Sequence, residues 1–150
     1  MSTVRLQVND EAVMKRVWAL AAIRALDDDG SGERVPMVGR GETAMLAVVV
    51  RDAAVLLAGS MGRYLTWMDA DAEDGVMLEV AVTGHESNAW LERLRRVAEG
   101  AVALRVMGML LCGRDAAAEK KYDDERARME SQLRAMLDGM EDCQIKRVWL

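Results

Sequence analysis

The sequence predicts a mainly α, α+β fold: a four-helix bundle-like core containing a long helical hairpin, with a small sheet of about three short strands beside it. Three observations lead there. Apolar residues recur at helical spacing over long windows. The most regular set is Trp90, Leu94, Val97, Ala101, Leu104, Gly108 and Leu111, whose alternating steps of four and three make a heptad-like seam. Two short runs, 3–8 and 76–82, have the alternation or β-branched content of strands. The chain has 150 residues, 51% of them hydrophobic, which suits a single domain with one real core.

In chain order, Val4, Leu6 and Val8 alternate with polar residues, which predicts a strand over 3–8. Asn9 or Asp10 then caps a helix over 10–26, with Val13, Val17, Leu20 and Ala21 on one face. Residues 27–42 hold the only proline, Pro36, together with Gly30, Gly32, Gly39 and Gly41, and read as the longest loop. The stretch 43–65 is apolar nearly all round, from Met45 and Leu46 to Leu57 and Met61. It predicts a helix at the centre of the bundle, weakened toward its end by Gly59 and Gly62. An acidic turn over 69–74 leads into a strand over 76–82, and Ser87 is placed to cap the next helix.

The helices predicted over 88–111 and 115–137 form the hairpin, with the break at Cys112-Gly113-Arg114-Asp115. The second is strongly charged, with a narrow apolar stripe of Ala118, Tyr122, Met129, Leu133 and Met136. Residues 144–150, QIKRVWL, read as a terminal strand or arm. An isolated two-stranded ribbon is marginal in water, so three strands are expected to share one sheet.

Composition narrows the function classes. The net charge is −5, and acidic side chains outnumber basic ones in both halves, so there is no electrostatic footprint for nucleic acid. With no Phe and four Trp, the twelve Met and many aliphatic residues must fill the core, although methionine also suits an adaptable interface. Cys112 and Cys143 form no CxxC or zinc pattern. They are read as reduced thiols of a cytoplasmic protein, with a disulfide as the alternative. The first ten residues do not read as a signal peptide. The apolar stretch 44–58 is short and interrupted by Arg51 and Asp52, so a buried helix is expected there, with no membrane association.

Each candidate chemistry meets a plainer reading. Asp27, Asp29, Ser31 and Gly32 match the first half of a calcium-binding loop, but its twelfth position is Val38 where a bidentate Glu is required. The segment reads better as a polar helix-ending turn. Asp69, Asp71, Glu73 and Asp74 have nothing to fix a metal geometry and read as a solvated turn. His85 is the only histidine, so one chain cannot build a His-ligated zinc cluster, and a triad would have to use it as base without any GxSxG elbow. Cys112 lacks a recognisable nucleophile context. Gly39-Arg40-Gly41 lacks the P-loop spacing and reads as a helix lead-in. Neither an enzymatic activity nor a cofactor is expected.

The order of elements carries one resemblance. TVRLQV runs into the capped helix NDEAVMKRVWALAAI. After ETAMLAVVVRDAAVLLAGSMGRYL and DGVMLEVAV comes HESNAWLERLRRVAEGAVALRVMGMLL. The charged AAAEKKYDDERARMESQLRAML, with its Ala118-to-Tyr122 step, and the basic terminal QIKRVWL complete the series. This pattern resembles the helical head–tail connector, or neck adaptor, proteins of phages and prophages of gut bacteria. It departs from them in having no Phe, an Ala/Val-rich second helix, the long 27–42 loop and a short terminal segment.

The resemblance implies a non-enzymatic virion part that self-associates, as a homo-oligomer or ring, and touches neighbouring virion proteins. It supplies no catalytic residues, and it implies a cytoplasmic protein that enters the virion. On the residues themselves, Ile145, Val148, Trp149 and Leu150 are the expected contact residues, because an unpaired strand can add to another subunit's sheet. Completion of the chain's own sheet is the alternative for the same residues. Arg93 and Arg96 are further candidates. A small helical adaptor or regulatory protein that binds a partner is the competing expectation, and an enzyme without recognisable motifs the third.

Overall fold

A computed structural model describes residues 2–27, 39–83 and 87–139. The fold is mainly α, with four helices and a three-stranded antiparallel sheet. Strand β1 (Ser2–Asn9) leads directly into helix α1 (Asp10–Asp27). Helix α2 (Thr43–Ser60) follows, entered through a 3-10 turn at Arg40–Glu42. Strands β2 (Leu65–Asp69) and β3 (Gly75–Val82) form a hairpin, and helices α3 (Asn88–Leu111) and α4 (Ala116–Leu137) form a second one.

Local chemistry explains the helix starts. The Asn9 side chain accepts a hydrogen bond from Ala12 N at 2.9 Å, Ser87 accepts from Trp90 N at 3.1 Å, and Asp115 accepts from Ala118 N at 3.0 Å. Each satisfies an amide that the first helical turn leaves without a partner.

Among the described residues the sheet has the order β1-β3-β2, so β3 lies between β1 and β2. Val4 faces Val80, Leu6 faces Leu78 and Val8 faces Val76 across the β1–β3 ladder. All six side chains are buried on one face of the sheet, which packs against the helices.

Two expectations are corrected. The helix expected over 43–65 ends at Ser60, because Gly62 adopts a left-handed φ of +55°. A 3-10 turn at Gly62–Tyr64 then swings the chain into β2. The third strand of the described sheet is therefore Leu65–Asp69, rich in β-forming Thr66 and Trp67. The terminal strand expected over 144–150 lies outside the described residues, as does most of the 27–42 loop.

The second correction concerns the centre of the bundle, which is α3 and not α2. From Val97 to Leu104, and again at Val106, Met107, Leu110 and Leu111, α3 is buried on almost every side. It packs against α4, α1, α2 and β1. Helix α2 buries only one face, formed by Leu46, Val50, Ala53, Ala54, Leu57 and Ala58. On α4 the expected stripe is present: Tyr122, Leu133 and Met136 are buried and Ala118 and Met129 pack against the core.

Gly75 has φ +150°, and a Cβ there would land on the carbonyl oxygen of Val8. Backbone cannot move aside as the end of a flexible side chain can. Gly75→Ala is therefore expected to lower stability by about 3 kcal/mol. Gly108→Ala, in α3 with nothing within 4 Å of the added methyl, should instead raise it by about 0.5–1 kcal/mol through helix propensity. Thermal and urea unfolding of the two variants checks both signs.

Candidate interaction surface

The outward face of α2 is apolar where a surface helix is normally charged. Met45 is 55% exposed, Val48 62% and Leu56 49%, while Val49 and Val55 are half-buried at its flanks. Asp52 is the one exposed charged residue along this face. Arg51, its neighbour, is turned away and committed elsewhere. Its Nε donates to Asp10 Oδ2 at 2.9 Å, and its two Nη atoms donate to the carbonyls of Ala70 at 2.9 Å and Glu73 at 3.0 Å. The planar guanidinium thus ties the start of α1 and the β2–β3 turn to α2, a three-way fork that lysine cannot reproduce. By length and composition, Thr43–Ser60 is also apolar enough to cross a membrane.

A second exposed apolar spot lies at β2. Trp67 is paired with Glu79 and Met68 with Leu78, and both Trp67 and Met68 are exposed. Arg5 lies over the Trp67 ring at 5.2 Å and 3.5 Å from Glu79, so the outer face of the sheet carries a small polar cluster around that ring. Leu78 is fully buried whereas its partner Met68 is not. The helical layer therefore covers β3 and Leu65 at the start of β2 but leaves Met68 open.

The helical hairpin carries a buried ionic network. Glu130 accepts from Arg105 at 2.8 Å and from Arg126 at 2.8 Å, which neutralises a carboxylate that would be costly to bury alone. Beside it, an open groove of about 640 Å³ runs between α3 and α4, lined by Leu104, Gly108, Met109, Cys112, Glu119 and Lys120 among others. The Cys112 thiol is exposed, and its hydrogen bond to Glu119 and that residue's negative charge push its pKa up. It is therefore held in the poorly nucleophilic thiol form. At the hairpin turn, Asp115 receives the Ala118 amide and Arg24 at 2.8 Å, which together hold its carboxyl below the usual range.

Several residues singled out by sequence have structural positions that account for them. Asp69 and Asp74 belong to the β2–β3 turn: Asp69 Oδ1 accepts from Asp71 N at 3.0 Å, and the Asp74 carbonyl accepts from Asp10 N at 2.9 Å. Among the described residues, no group of three or more His, Cys, Asp or Glu could hold a metal ion. Arg93 and Arg96 are exposed on the first turns of α3, with Arg96 Nε 3.4 Å from Glu92. Ile145, Val148, Trp149 and Leu150 lie outside the described residues, as do His85 and residues 28–38 of the calcium-like loop. The α2 face was missed as a surface because its apolar content looked like that of a central helix. The spacing of Met45, Val48, Asp52 and Leu56 along one face was the available clue.

Glu99 is buried in α3, with Oε1 3.6 Å from Arg95 Nε and Oε2 without a hydrogen-bond partner. Burial raises its pKa, and the charges of Arg95 and Arg16 offset this in part. The folded chain therefore holds the Glu99 proton more tightly than the unfolded chain does. Stability attached to this group is full below the ordinary glutamate pKa and falls as pH rises through the raised one. Glu99→Gln should accordingly raise the melting temperature at about pH 7, with the gain over the parent shrinking toward about pH 4. Thermal unfolding of both proteins across that range measures the difference.

Comparison of the chain with protein-family models, with curated proteins and with solved structures returns no match.

Proposed function

We propose that the protein is a non-enzymatic assembly component, of the phage head–tail connector kind that its element order resembles. In this reading it acts by self-association through the outer face of α2. The observation that carries the reading is the exposure of Met45, Val48 and Leu56 along a helix face with Asp52 as its one exposed charge. Exposed apolar strips of this kind mark interaction sites more often than ordinary surface.

The strip is self-complementary. In an antiparallel pairing of two α2 helices, Met45 of each copy lies opposite Leu56 of the other, Val48 lies nearly opposite Asp52, and Asp52 sits near the two-fold axis. The two Asp52 carboxylates then approach one another inside an apolar contact, which limits affinity. One such face is smaller than the roughly 800 Å² per partner of a standard interface, so a weak contact is expected from α2 alone. Repetition in an assembly strengthens weak contacts by effective concentration. Neighbouring virion proteins are the further partners this reading supplies.

Sedimentation velocity over a wide concentration range tests the proposal. The parent chain should self-associate, Val48→Glu should weaken association by at least about tenfold, and Asp52→Asn should strengthen it. Each variant should keep the parent's far-ultraviolet circular dichroism. A parent that stays monomeric at the highest concentrations sinks the reading. If that monomer instead sediments with lipid vesicles in a Val48-dependent way, the face belongs to a membrane surface.

A further inference from the structure

We infer that the contact between two α2 helices is gated by a proton: the two Asp52 carboxylates meet near the two-fold axis and share one proton, so association tightens as the pH falls. The inference rests on self-association through the outer face of α2 and names what regulates it. Asp52 stands in the middle of the apolar strip, a helical turn from Val48 on one side and from Leu56 on the other. Other acidic side chains of the fold have found cations. Asp10 pairs with Arg51, Glu79 with Arg5, Asp123 with Arg126 and Asp138 with Arg63. Among the described residues Asp52 has no hydrogen bond or ion pair.

Neither α2 helix brings a cation to the contact. Arg51 is the only basic residue of Thr43–Ser60, and its guanidinium is committed to Asp10 and to the carbonyls of Ala70 and Glu73. α1, α3, β2 and β3 pack behind the helix, where Leu46, Val50, Ala53 and Leu57 are buried. The charged groups they carry are engaged there: Asp10 of α1 and the acidic β2–β3 turn with Arg51, Arg95 of α3 with Glu92 and Glu99, Arg105 with Glu130, and Glu79 of β3 with Arg5. Glu42 precedes the helix, and Arg63, which follows it, pairs with Asp138. A second copy brings the same set. The charge that two facing Asp52 side chains concentrate is therefore relieved by a proton from solvent.

The symmetry sets the approach. With Met45 of one copy opposite Leu56 of the other, the two-fold axis crosses midway between Val50 and Arg51. Each Asp52 then stands about 2 Å from the axis along its helix, and the two are about 4–5 Å apart in that direction. Val48 of each copy lies against the other's Asp52 and reduces its contact with water. Two carboxylates sharing such a site hold one proton between them at a pH where either alone is ionised. The protonated Asp52 donates its O–H to the ionised one, a charge-assisted hydrogen bond. Two chains and one proton from solvent thus give one dimer. By linkage the association constant rises as the pH falls, by at most about tenfold per pH unit for one proton. Association is full below the ordinary carboxylate range and weakens as the pH rises through the higher range of the pair.

Sedimentation velocity of the full chain at several pH values tests the gate, with a chelator present to remove divalent cations that could bridge the carboxylates. Between about pH 7 and about pH 5 the parent's association constant should rise about five- to tenfold more than that of Asp52→Asn. Asp52→Asn keeps every other titratable group, so the general loss of negative charge on acidification is common to both proteins. At about pH 7 an equal mixture of parent and Asp52→Lys should associate more tightly than either alone, because unlike charges then meet across the axis. Equal pH dependence in parent and Asp52→Asn, or a mixture no tighter than its components, overturns the inference. If Asp52→Asn nonetheless associates and Val48→Glu abolishes that association, self-association through α2 stands and only the gate falls. If no variant associates at any of these pH values, both fall.

Discussion

The burial of α3 on nearly every side is the constraint around which the other elements are arranged. Its residues from Val97 onward are mostly small or aliphatic, with Glu99 and Arg105 as the charged exceptions. A helix of that composition is stable in water only if other elements enclose it. α4 covers one side by folding back through the short turn at Cys112–Asp115 (a closure held by Asp115 and Arg24), and α1, α2 and β1 cover the rest. Gly100 belongs to the same arrangement: the end of Met129 from α4 fills the space a side chain there would occupy, with Arg16 of α1 close by.

Charge inside this body acts as a set of fasteners between elements. Glu130 joins the two arms of the hairpin through Arg105 and Arg126. Arg51 binds α2 to the start of α1 and to the β2–β3 turn, and Asp138 joins the end of α4 to Tyr64. Paired in this way, buried charges cost far less than they would alone, and their geometry discriminates against misaligned packing. Glu99 is the exception, since Arg95 approaches its Oε1 only to 3.6 Å and its Oε2 is left unpartnered.

The same packing determines which apolar faces remain exposed. Because α3 takes the centre, α2 is pushed to the outside with an apolar face it cannot bury, and β2 leaves Trp67 on the outer face of the sheet and Met68 on the inner face exposed. Both leave apolar side chains open to solvent. The exposed thiol at Cys112 is suppressed by Glu119, and the acidic turn spends its backbone carbonyls on Arg51 and Asp10.

Much of the fold was legible in residues that act locally. The helix caps at Asn9, Ser87 and Asp115, the alternation of Val4, Leu6 and Val8, and the seam of the hairpin depend on neighbours a few positions away. The class of the fold, with most of its element boundaries, follows from them. Less of the candidate surface was legible. The terminal residues Ile145 to Leu150 signalled strand character without a partner, and the α2 face passed for core.

Long-range packing alone ranked the two apolar helices and fixed the identity of the third described strand. Hydrophobic pattern measures how much surface a segment can bury, and α2 scores higher than α3 on that count. Which helix becomes central depends instead on how many other elements can reach it, a property of chain connectivity. Likewise Tyr64 to Trp67 suits either a frayed helix end or a strand. The left-handed turn at Gly62 and the open side of β3 made it a strand. Local spacing and capping residues were enough to specify a helical body with a small sheet. Long-range packing determined which of its apolar faces stays open to solvent.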